Sequence, residues 1–348
     1  IVITFDLQKI AIGYKPPNIS LPWDTIGLLT SSKISRYSVG NIFLAIYAIF
    51  LYFSIAGYLC IRFRPKVFWS HNLWTVFVAG LCKKIGLCEY NIHVASDWLV
   101  SNRMQSFASR FANNIIFPIF DYLGCVLSDL VINSSQKISE ARCKYWGKEL
   151  EKHKIIYPIN IKTHENINNR KRNQICFLGT VRYDSGLEMI VPILHELWGK
   201  WGIKFVIIGN PTPYTKMIKK LIVANNVQDY VIFYNYLNSK NLKEVLDGCF
   251  CGINLITSME NYSIYGVPGK LIDYLRMLIP VIVTEGIGPF AEEVKRNKLG
   301  FVIDSREELF KALEELYINN LYYQKNIQNF INNRSSQSVS VYVNNLMQ

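Results

Sequence analysis

The sequence predicts an α/β protein of two domains, each built on a doubly wound parallel β-sheet. Two observations carry this prediction: short apolar strands alternate with helical segments over 65–160 and again over 174–318, and a polar stretch at 160–173 separates the two runs. Strands that alternate with helices at this spacing form parallel sheets. The length of 348 residues suits two domains of ordinary size.

The first alternation defines an N-terminal Rossmann-like domain, which we place at 1–160. Its predicted strands are IVITFDL, KVFWS, YNIHVA, DLVINS and HKIIYPI. Its predicted helices are LWTVFVAGLCKKIGL, FANNIIFPIFDYLGCVLS and SSQKISEARCKYWG. Because the chain opens at Ile1 inside a strand pattern, we expect the true start of this domain to be absent.

A linker is predicted at 161–173, where the sequence is polar and shows no periodicity. The second Rossmann-like domain follows at 174–330, with strands at QICFLGT, KFVIIGN, YVIFYN, CGINLIT, PVIVTEG and GFVID. Its helices are predicted at 186–200, 213–225, 239–248, 269–278, 290–297 and 305–318. A last helix at 331–348 is expected to pack back on the N-terminal domain. Doubly wound sheets bind ligands at the carboxyl ends of their strands.

Composition narrows the classes of partner. A chain that is 50% hydrophobic and 18% charged is not disordered. A net charge of +12 together with a mean hydropathy of +0.13 favours a negative partner, which is a membrane surface, nucleic acid or a phosphorylated ligand. Eight cysteines without a CxxC pair, and five scattered histidines, predict free thiols in a reducing cytoplasm and no metal site.

The segment 42–61 carries no charge and is followed by Arg62 and Arg64. Its length would allow a single membrane span. Because it leads directly into a strand, we favour a helix that is buried or lies in the membrane interface, with the span as the alternative. Residues 1–160 hold 17 Lys and Arg against 9 Asp and Glu, a net +8, which predicts peripheral attachment to an anionic membrane at its cytoplasmic face.

The sharpest motif is YGVPGKLIDYLRMLIPVIVTEGIGP, which begins a helix just after a glycine turn. The turn is formed by Gly266, Pro268 and Gly269. Pro268 suits the first turn of a helix, whose N-terminus favours a phosphate, and Lys270 adds a positive charge there. Asp273 lies one turn later and could accept hydrogen bonds from ribose hydroxyls. The alternative is an ordinary capped helix with an exposed Lys–Asp pair.

This motif resembles the signature of retaining GT-B glycosyltransferases of family 4. The matching residues are Pro268, Lys270, Asp273-Tyr274 and Pro280-Val281-Ile282. FLGTVRYDSGLEMI and FVIIGN resemble further family segments, and the resemblance covers about 65–305. It implies the GT-B fold, with two Rossmann-like domains facing across a cleft, and transfer of a sugar from a nucleotide-diphosphate sugar with retention.

The resemblance also implies the site residues. The catalytic set is His71, Lys270 and Arg182. The nucleotide sugar, a UDP-, GDP- or ADP-sugar, would be bound by Gly179, Arg182, Gly266, Pro268, Gly269, Lys270, Asp273, Gly286 and Gly288, with Asp273 at the ribose. No cofactor or metal is expected. For His71, the alternative is a strand-end histidine satisfied by the backbone.

Several further residues are weaker expectations. His93 and Asp97 are placed just past a strand, and Ser134 and Ser135 face the cleft or cap the following helix. In the donor loops the further contacts are Glu260, Asn261, Glu285 and Pro289. The chain also departs from the family pattern: aspartate replaces the family glutamate at 273, Tyr265 stands where many members have Glu, and the family Lys-Gly pair reads Ser185-Gly186.

The predicted function is therefore a membrane-associated glycosyltransferase acting on a lipid-linked or glycan acceptor in glycolipid or polysaccharide biosynthesis. One alternative is a catalytically weakened scaffold subunit of a glycan-assembly complex that still binds a nucleotide sugar, motivated by Tyr265. A second is a GT-B sugar-nucleotide epimerase, which needs acid–base groups in its cleft. No basic–aromatic motif indicates nucleic-acid binding.

Overall fold

A computed structural model describes residues 3–5, 10–12, 50, 54, 57, 58, 60–62, 64–70, 73–95, 98, 100, 114, 115, 117–146, 153–155, 172–257 and 265–335. The chain divides into two compact units, Ile1–Ile156 and Tyr157–Gln348. Most of the predicted linker and of the segment 42–61 lies outside the described residues. Within the described part of the chain, no helix combines the length and the apolar character needed to cross a membrane.

The first unit contains a six-stranded sheet with the order β2-β1-β3-β4-β5-β6. The strands are β1 Ile3–Phe5, β2 Ile10–Ile12, β3 Val67–Ser70, β4 Tyr90–Ala95, β5 Leu130–Asn133 and β6 His153–Ile155. The helices with described bounds are α1 Leu73–Lys84, α2 Phe117–Leu127 and α3 Gln136–Trp146. The pairings are parallel except for the β1–β2 pair, which is antiparallel.

Helices α1 and α2 pack tightly on each other because two glycines allow a close approach. A Cβ atom at Gly80 would lie 2.5 Å from the Cβ of Leu127, and one at Gly124 would lie 2.4 Å from a methyl carbon of Val76. A larger residue at either glycine would push these helices apart.

The second unit contains a parallel six-stranded sheet with the order β12-β11-β10-β7-β8-β9. Its strands are β7 Gln174–Leu178, β8 Lys204–Ile208, β9 Val231–Tyr234, β10 Cys249–Asn254, β11 Val281–Val283 and β12 Gly300–Val302. Its helices are α4 Leu187–Ile190, α5 Leu194–Trp201, α6 Pro213–Ala224, α7 Ser239–Asp247, α8 Gly269–Arg276, α9 Pro289–Arg296, α10 Arg306–Ile318 and α11 Asn320–Ser335.

The strand order of the second unit creates a switch point between β7 and β10. The chain leaves β7 toward β8 on one side and leaves β10 toward β11 on the other. Accordingly, α4, α5, α6 and α10 contribute to one apolar core, and α7, α8, α9 and α11 contribute to a second. A ligand crevice is expected outside the carboxyl ends of β7 and β10.

Two predicted helices differ in the structure. The single helix predicted at 186–200 is broken into α4, a 3₁₀ turn at Val191–Ile193 and α5, because Pro192 has no N–H to continue the α-helical ladder. The last described helix, α11, runs through the predicted boundary at 330, and its Phe330 and Ile331 lie in a core of the second unit. Residues 336–348 of the predicted C-terminal helix lie outside the described residues.

All eight cysteines are free thiols, as predicted, and seven of them are buried.

Candidate functional site

The site begins where β7 ends. Gly179 follows Leu178 with a φ of +128°, in the region that favours glycine, and its N–H donates to the Ile208 carbonyl at 2.8 Å. Gly209, at the end of β8, is equally constrained, because a Cβ there would lie 1.9 Å from the Gly179 carbonyl oxygen. The predicted glycine segments therefore bring two strand ends into backbone contact.

The loop after Gly179 presents Arg182. Its Nε lies 3.2 Å from Oδ1 of Asp184, whose side chain is 1% exposed, whereas the Arg182 side chain is 37% exposed. The Ser185 hydroxyl accepts from the Arg182 N–H at 3.1 Å and donates back to the Arg182 carbonyl, which closes the turn. A buried carboxylate thus orients a guanidinium that keeps access to solvent.

This loop rests on the segment that follows β10. Gly186 has a φ of +64°, and a Cβ there would lie 2.5 Å from the Leu255 carbonyl oxygen. The Thr257 N–H donates to the Asp184 carbonyl at 3.2 Å. The structure therefore joins the two sides of the switch point, and it explains why glycine is required at 186.

Helix α8 starts at this edge. Pro268 is the N-cap residue, with a φ of −60° and a ψ of 126°, and α8 begins at Gly269, where the predicted helix also begins. Gly266 is buried, whereas Gly269 is exposed and a Cβ there would contact nothing within 4 Å. The first N–H groups of a helix have no intrahelical acceptor, so the open space at Gly269 leaves room for an anion.

Lys270 lies in the first turn of α8 and is half-buried. Its Nζ lies 4.7 Å from the centroid of the Phe177 ring and 3.7 Å from the position of a Cβ at Gly179. Among the residues that the structure describes, no carboxylate forms an ion pair with this ammonium group. The pKa of Lys270 is lowered to about 8, mainly by burial and also by the charge of Arg182, while the charge of Asp184 acts in the opposite direction.

Tyr274, in the second turn of α8, holds this helix against β7. Its hydroxyl accepts from the Leu178 N–H at 2.7 Å and donates to the Cys176 carbonyl at 3.1 Å, and its side chain is fully buried. The ring fits because residue 252 is glycine, where a Cβ would lie 2.5 Å from ring carbons. Tyr274 belongs to the predicted motif, but its role was not predicted; the signal for that role was an aromatic residue on a buried helix face.

Asp273 does not form the exposed Lys–Asp pair that was the alternative reading of this helix. Oδ1 of Asp273 lies 3.4 Å from Nη1 of Arg276 instead, and each side chain is 39% exposed. The carboxylate is therefore accessible one turn beyond Lys270.

The loop after β11 packs on the same segment. The Thr284 hydroxyl donates to the Ile256 carbonyl at 2.6 Å, and a Cβ at Gly286 would lie 2.6 Å from that oxygen. Gly288 has a φ of +67° and precedes Pro289, the first residue of α9. The structure thus gathers the loops after β7, β10 and β11 at one edge of the sheet.

Glu285 lies in that loop and forms an exposed ion pair with Lys295. In this structure its carboxylate is engaged by Lys295 at the surface and does not project freely as a sugar ligand.

The predicted site residues of the first unit either lie outside the described residues or are buried. His71 and Asp97 lie outside the described residues, as do Glu260 and Asn261 of the second unit. His93 was expected just past a strand, but it lies inside β4, where its side chain is buried.

The two serines after β5 are both buried. The Ser135 hydroxyl accepts from the Ile138 N–H at 3.2 Å and so caps α3, which is the alternative that we stated for this pair.

His93 belongs to a buried group with Asp121 and Cys125, whose ligand atoms lie within 4.8 Å of one another. Residue spacing did not predict this group. Arg142 already binds both carboxylate oxygens of Asp121, at 2.8 and 2.7 Å, so its guanidinium occupies the position of a cation. Burial would raise the pKa of Asp121, but the charge and hydrogen bonds of Arg142 hold it at about 2.

The comparisons with known proteins agree with this architecture. A family model described as Glycosyl transferases group 1 matches residues 160–335, just over half of the chain. The family model and the GT-B fold together support a GT-B glycosyltransferase, as predicted. The chain belongs to the family of glycosyl transferases group 1.

Similar proteins include an uncharacterized glycosyltransferase of Methanocaldococcus jannaschii, which is 22% identical over 289 residues, covering 72% of each chain. Among solved structures, Anabaena HepE in complex with UDP has a TM-score of 0.56 at 13% identity, covering 80% of this chain and 79% of its own. Sucrose-phosphate synthase of Thermosynechococcus elongatus has a TM-score of 0.57 at 12% identity, covering 81% and 74%. These likenesses show the fold.

Proposed function

We propose that the protein transfers a sugar from a nucleotide-diphosphate sugar to a lipid-linked or glycan acceptor, with retention, in glycolipid or polysaccharide biosynthesis. The reaction would take place at the cytoplasmic face of an anionic membrane. The observation that carries the proposal is the ammonium group of Lys270, half-buried without an ion-pair partner among the described residues, at the N-terminus of α8.

The chemistry follows from where charge develops. In the transfer, the bond between the anomeric carbon and the diphosphate oxygen breaks, a bond to the acceptor oxygen forms, and the proton of the acceptor hydroxyl passes to the departing diphosphate. Negative charge builds on the departing diphosphate. Lys270, the N–H groups of α8 and the exposed guanidinium of Arg182 would stabilise that charge through fixed electrostatics.

The free-energy cost of burying the charged ammonium group supports a binding role for Lys270. A charged amine that burial has pushed to a pKa of about 8 is unfavourable for the fold in isolation. An anion placed beside it offsets this cost and raises its pKa again. A partly buried ammonium group is therefore expected where a phosphate binds. An exposed lysine gives no such indication, because it can simply serve solubility.

The identity of the donor nucleotide and sugar is proposed from similarity to solved structures. Anabaena HepE has been solved with UDP and with UDP-glucose, which favours a UDP-sugar among the three donors considered. The signature from Pro268 to Ile282 supports retention. The proposal needs no metal, because Lys270 and Arg182 supply positive charge for the diphosphate, and it assigns His71 to the sugar side.

The test is a donor screen read by mass spectrometry. The full-length protein is incubated with UDP-, GDP- and ADP-sugars, and release of free sugar by slow hydrolysis is measured. We expect one nucleotide class to be hydrolysed, and the Lys270→Met variant to lose at least about 100-fold in rate. Lys220→Met, which removes an exposed charge from α6, is the matched control and keeps full activity.

The same screen separates the alternatives. A scaffold subunit would bind a donor and protect the protein from thermal unfolding without releasing sugar. An epimerase would convert the donor into its stereoisomer. Absence of any nucleotide-dependent protection would overturn the donor site itself.

A further inference from the structure

We propose that an exposed patch on the first unit is the surface by which this protein docks on an anionic lipid bilayer. The patch, here called the apolar–basic patch, consists of Tyr58, Ile61, Arg62, Arg64 and Ile85. The inference rests on the proposed function, which places the acceptor at a membrane, and it names the part of the chain that would make the contact.

The first part of the patch is the outer side of a helical segment. The described positions 50, 54, 57, 58 and 60–62 are helical. Tyr58 and Ile61 are 60% and 64% exposed, and Phe50, two turns earlier, is 69% exposed. Residues three and four apart share one side of a helix, so these side chains form one stripe of large apolar groups in water.

The opposite side of the same segment is anchored in the domain. Cys60 is fully buried in a small core with Phe68 and Val78. The segment therefore lies against the first unit at this turn while it exposes Ile61. One side buried and the other side apolar and exposed is the arrangement of a helix that lies in a membrane interface.

The second part of the patch comes from the end of α1. Cys82, in the last turns of α1, lies in the same core as Cys60, so the ends of the two helices are neighbours. Ile85, just past α1, is 68% exposed. Two isoleucines from separate elements thus project from one region, whereas single exposed apolar residues are ordinary.

Cationic side chains surround these apolar groups. Arg62 and Arg64 are exposed directly after Ile61, and Lys84 is exposed directly before Ile85. Basic residues attract anionic headgroups, and apolar side chains enter the boundary of the acyl region. One surface can therefore bind both the headgroup region and the acyl region of a leaflet. A second copy of the chain fits less well, since a symmetric interface would bring these like charges together.

The experiment is vesicle flotation of the full-length protein. Vesicles of phosphatidylcholine are compared with vesicles in which a third of the lipid is phosphatidylglycerol. We expect flotation with the anionic vesicles, lost at high salt. Arg62→Gln with Arg64→Gln should weaken partitioning roughly 30-fold, at about fivefold per charge. Tyr58→Ser with Ile61→Ser should weaken it roughly tenfold at every salt concentration at which the wild type floats.

Helix α6 of the second unit offers a matched control. Met217 and Val223 are 58% and 60% exposed, close to the exposure of the two apolar residues tested. Lys216 and Lys220 lie beside them and are exposed. Changing Met217 and Val223 to Ser removes an apolar area similar to that removed by the Tyr58 and Ile61 substitutions. Changing Lys216 and Lys220 to Gln removes the same charge as the Arg62 and Arg64 substitutions. Both control variants should leave flotation unchanged. Thermal unfolding of each variant verifies that it is folded.

Donor hydrolysis in solution distinguishes failure of this inference from failure of the proposed function. Patch variants that stop floating and still hydrolyse donor support the inference. A wild-type protein that hydrolyses donor and never floats overturns the docking surface alone. A protein that floats equally well after the patch and control substitutions also overturns it. Flotation without any donor reaction leaves the surface in place and refutes the enzymatic proposal.

Discussion

Replacing Lys270 by methionine should stabilise the fold while it removes the donor site. Burial lowers the pKa of Lys270 from 10.5 to about 8. One unit of pKa corresponds to about 1.4 kcal/mol, so the buried charge costs at most about 3.5 kcal/mol. Because the side chain is only half-buried, we expect a gain of about 1–2 kcal/mol, which raises Tm by about 2–8 °C.

The effect should depend on pH with a defined sign. Below pH 8 the lysine is charged in both the folded and the unfolded protein, and the full cost is present. Between pH 8 and 10.5 the unfolded chain keeps the proton that the folded protein has lost, so wild-type stability rises with pH. The advantage of Lys270→Met should therefore be largest near pH 7 and fade toward pH 10.5.

Thermal and urea unfolding at several pH values measure this effect. Lys220→Met removes an exposed ammonium from α6, so its effect should stay within about 0.5 kcal/mol at every pH. A Lys270→Met protein that is less stable than wild type at pH 7 would refute the reasoning. So would a gain in stability that does not change with pH.

Three further substitutions probe the framework of the two units. Tyr274→Phe leaves two backbone groups of β7 without their partner and should cost about 1–3 kcal/mol in urea unfolding while weakening donor binding. Gly186→Ala puts a Cβ 2.5 Å from the Leu255 carbonyl oxygen at a positive φ, and should cost at least about 1 kcal/mol. Asp121→Asn leaves the Arg142 guanidinium buried without its counter-charge, and should cost about 3–5 kcal/mol. Unchanged stability in any of these variants contradicts the contact that it removes.

The second unit was largely predictable because its central strands are buried on both faces. Runs such as KFVIIGN and CGINLIT are mostly apolar, which is typical of central parallel strands, and the helices between them show clear periodicity. The exception was the helix predicted at 186–200. Its apolar pattern continues through Pro192, so hydrophobic periodicity alone could not place the break.

The candidate site was predictable where backbone geometry requires a residue type. Gly179, Gly186 and Gly288 have positive φ values, and glycine in a turn after a strand is a local signal. The pairing of Arg182 with Asp184 and the hold of Tyr274 on β7 were not predictable in this way. Tyr274 and β7 are far apart in sequence and are brought together only by the sheet. Arg182 and Asp184 are two residues apart in one loop, where no periodic pattern indicates that they pair.

The polar core of the first unit was also missed. Asp121 and Arg142 lie on α2 and α3, 21 residues apart, and each is 1% exposed. Charged residues are expected at the surface, so a sequence gives no reason to bury two of them unless their pairing is known. His93 was misplaced for a related reason, because a polar residue at the end of an apolar run favours the reading that the strand has ended.

The central claim is that Lys270 binds the diphosphate of the donor, and the most direct test is the pH dependence of nucleotide binding. Isothermal titration with UDP, GDP and ADP between pH 7 and 10 gives Kd for the wild type and for Lys270→Met. Because the lysine must be protonated to pair with the anion, we predict that wild-type affinity falls about tenfold per pH unit above pH 8, whereas Lys270→Met binds weakly and shows no such fall. A wild-type affinity that does not change through pH 8, or a variant that binds as tightly as wild type, would contradict the account.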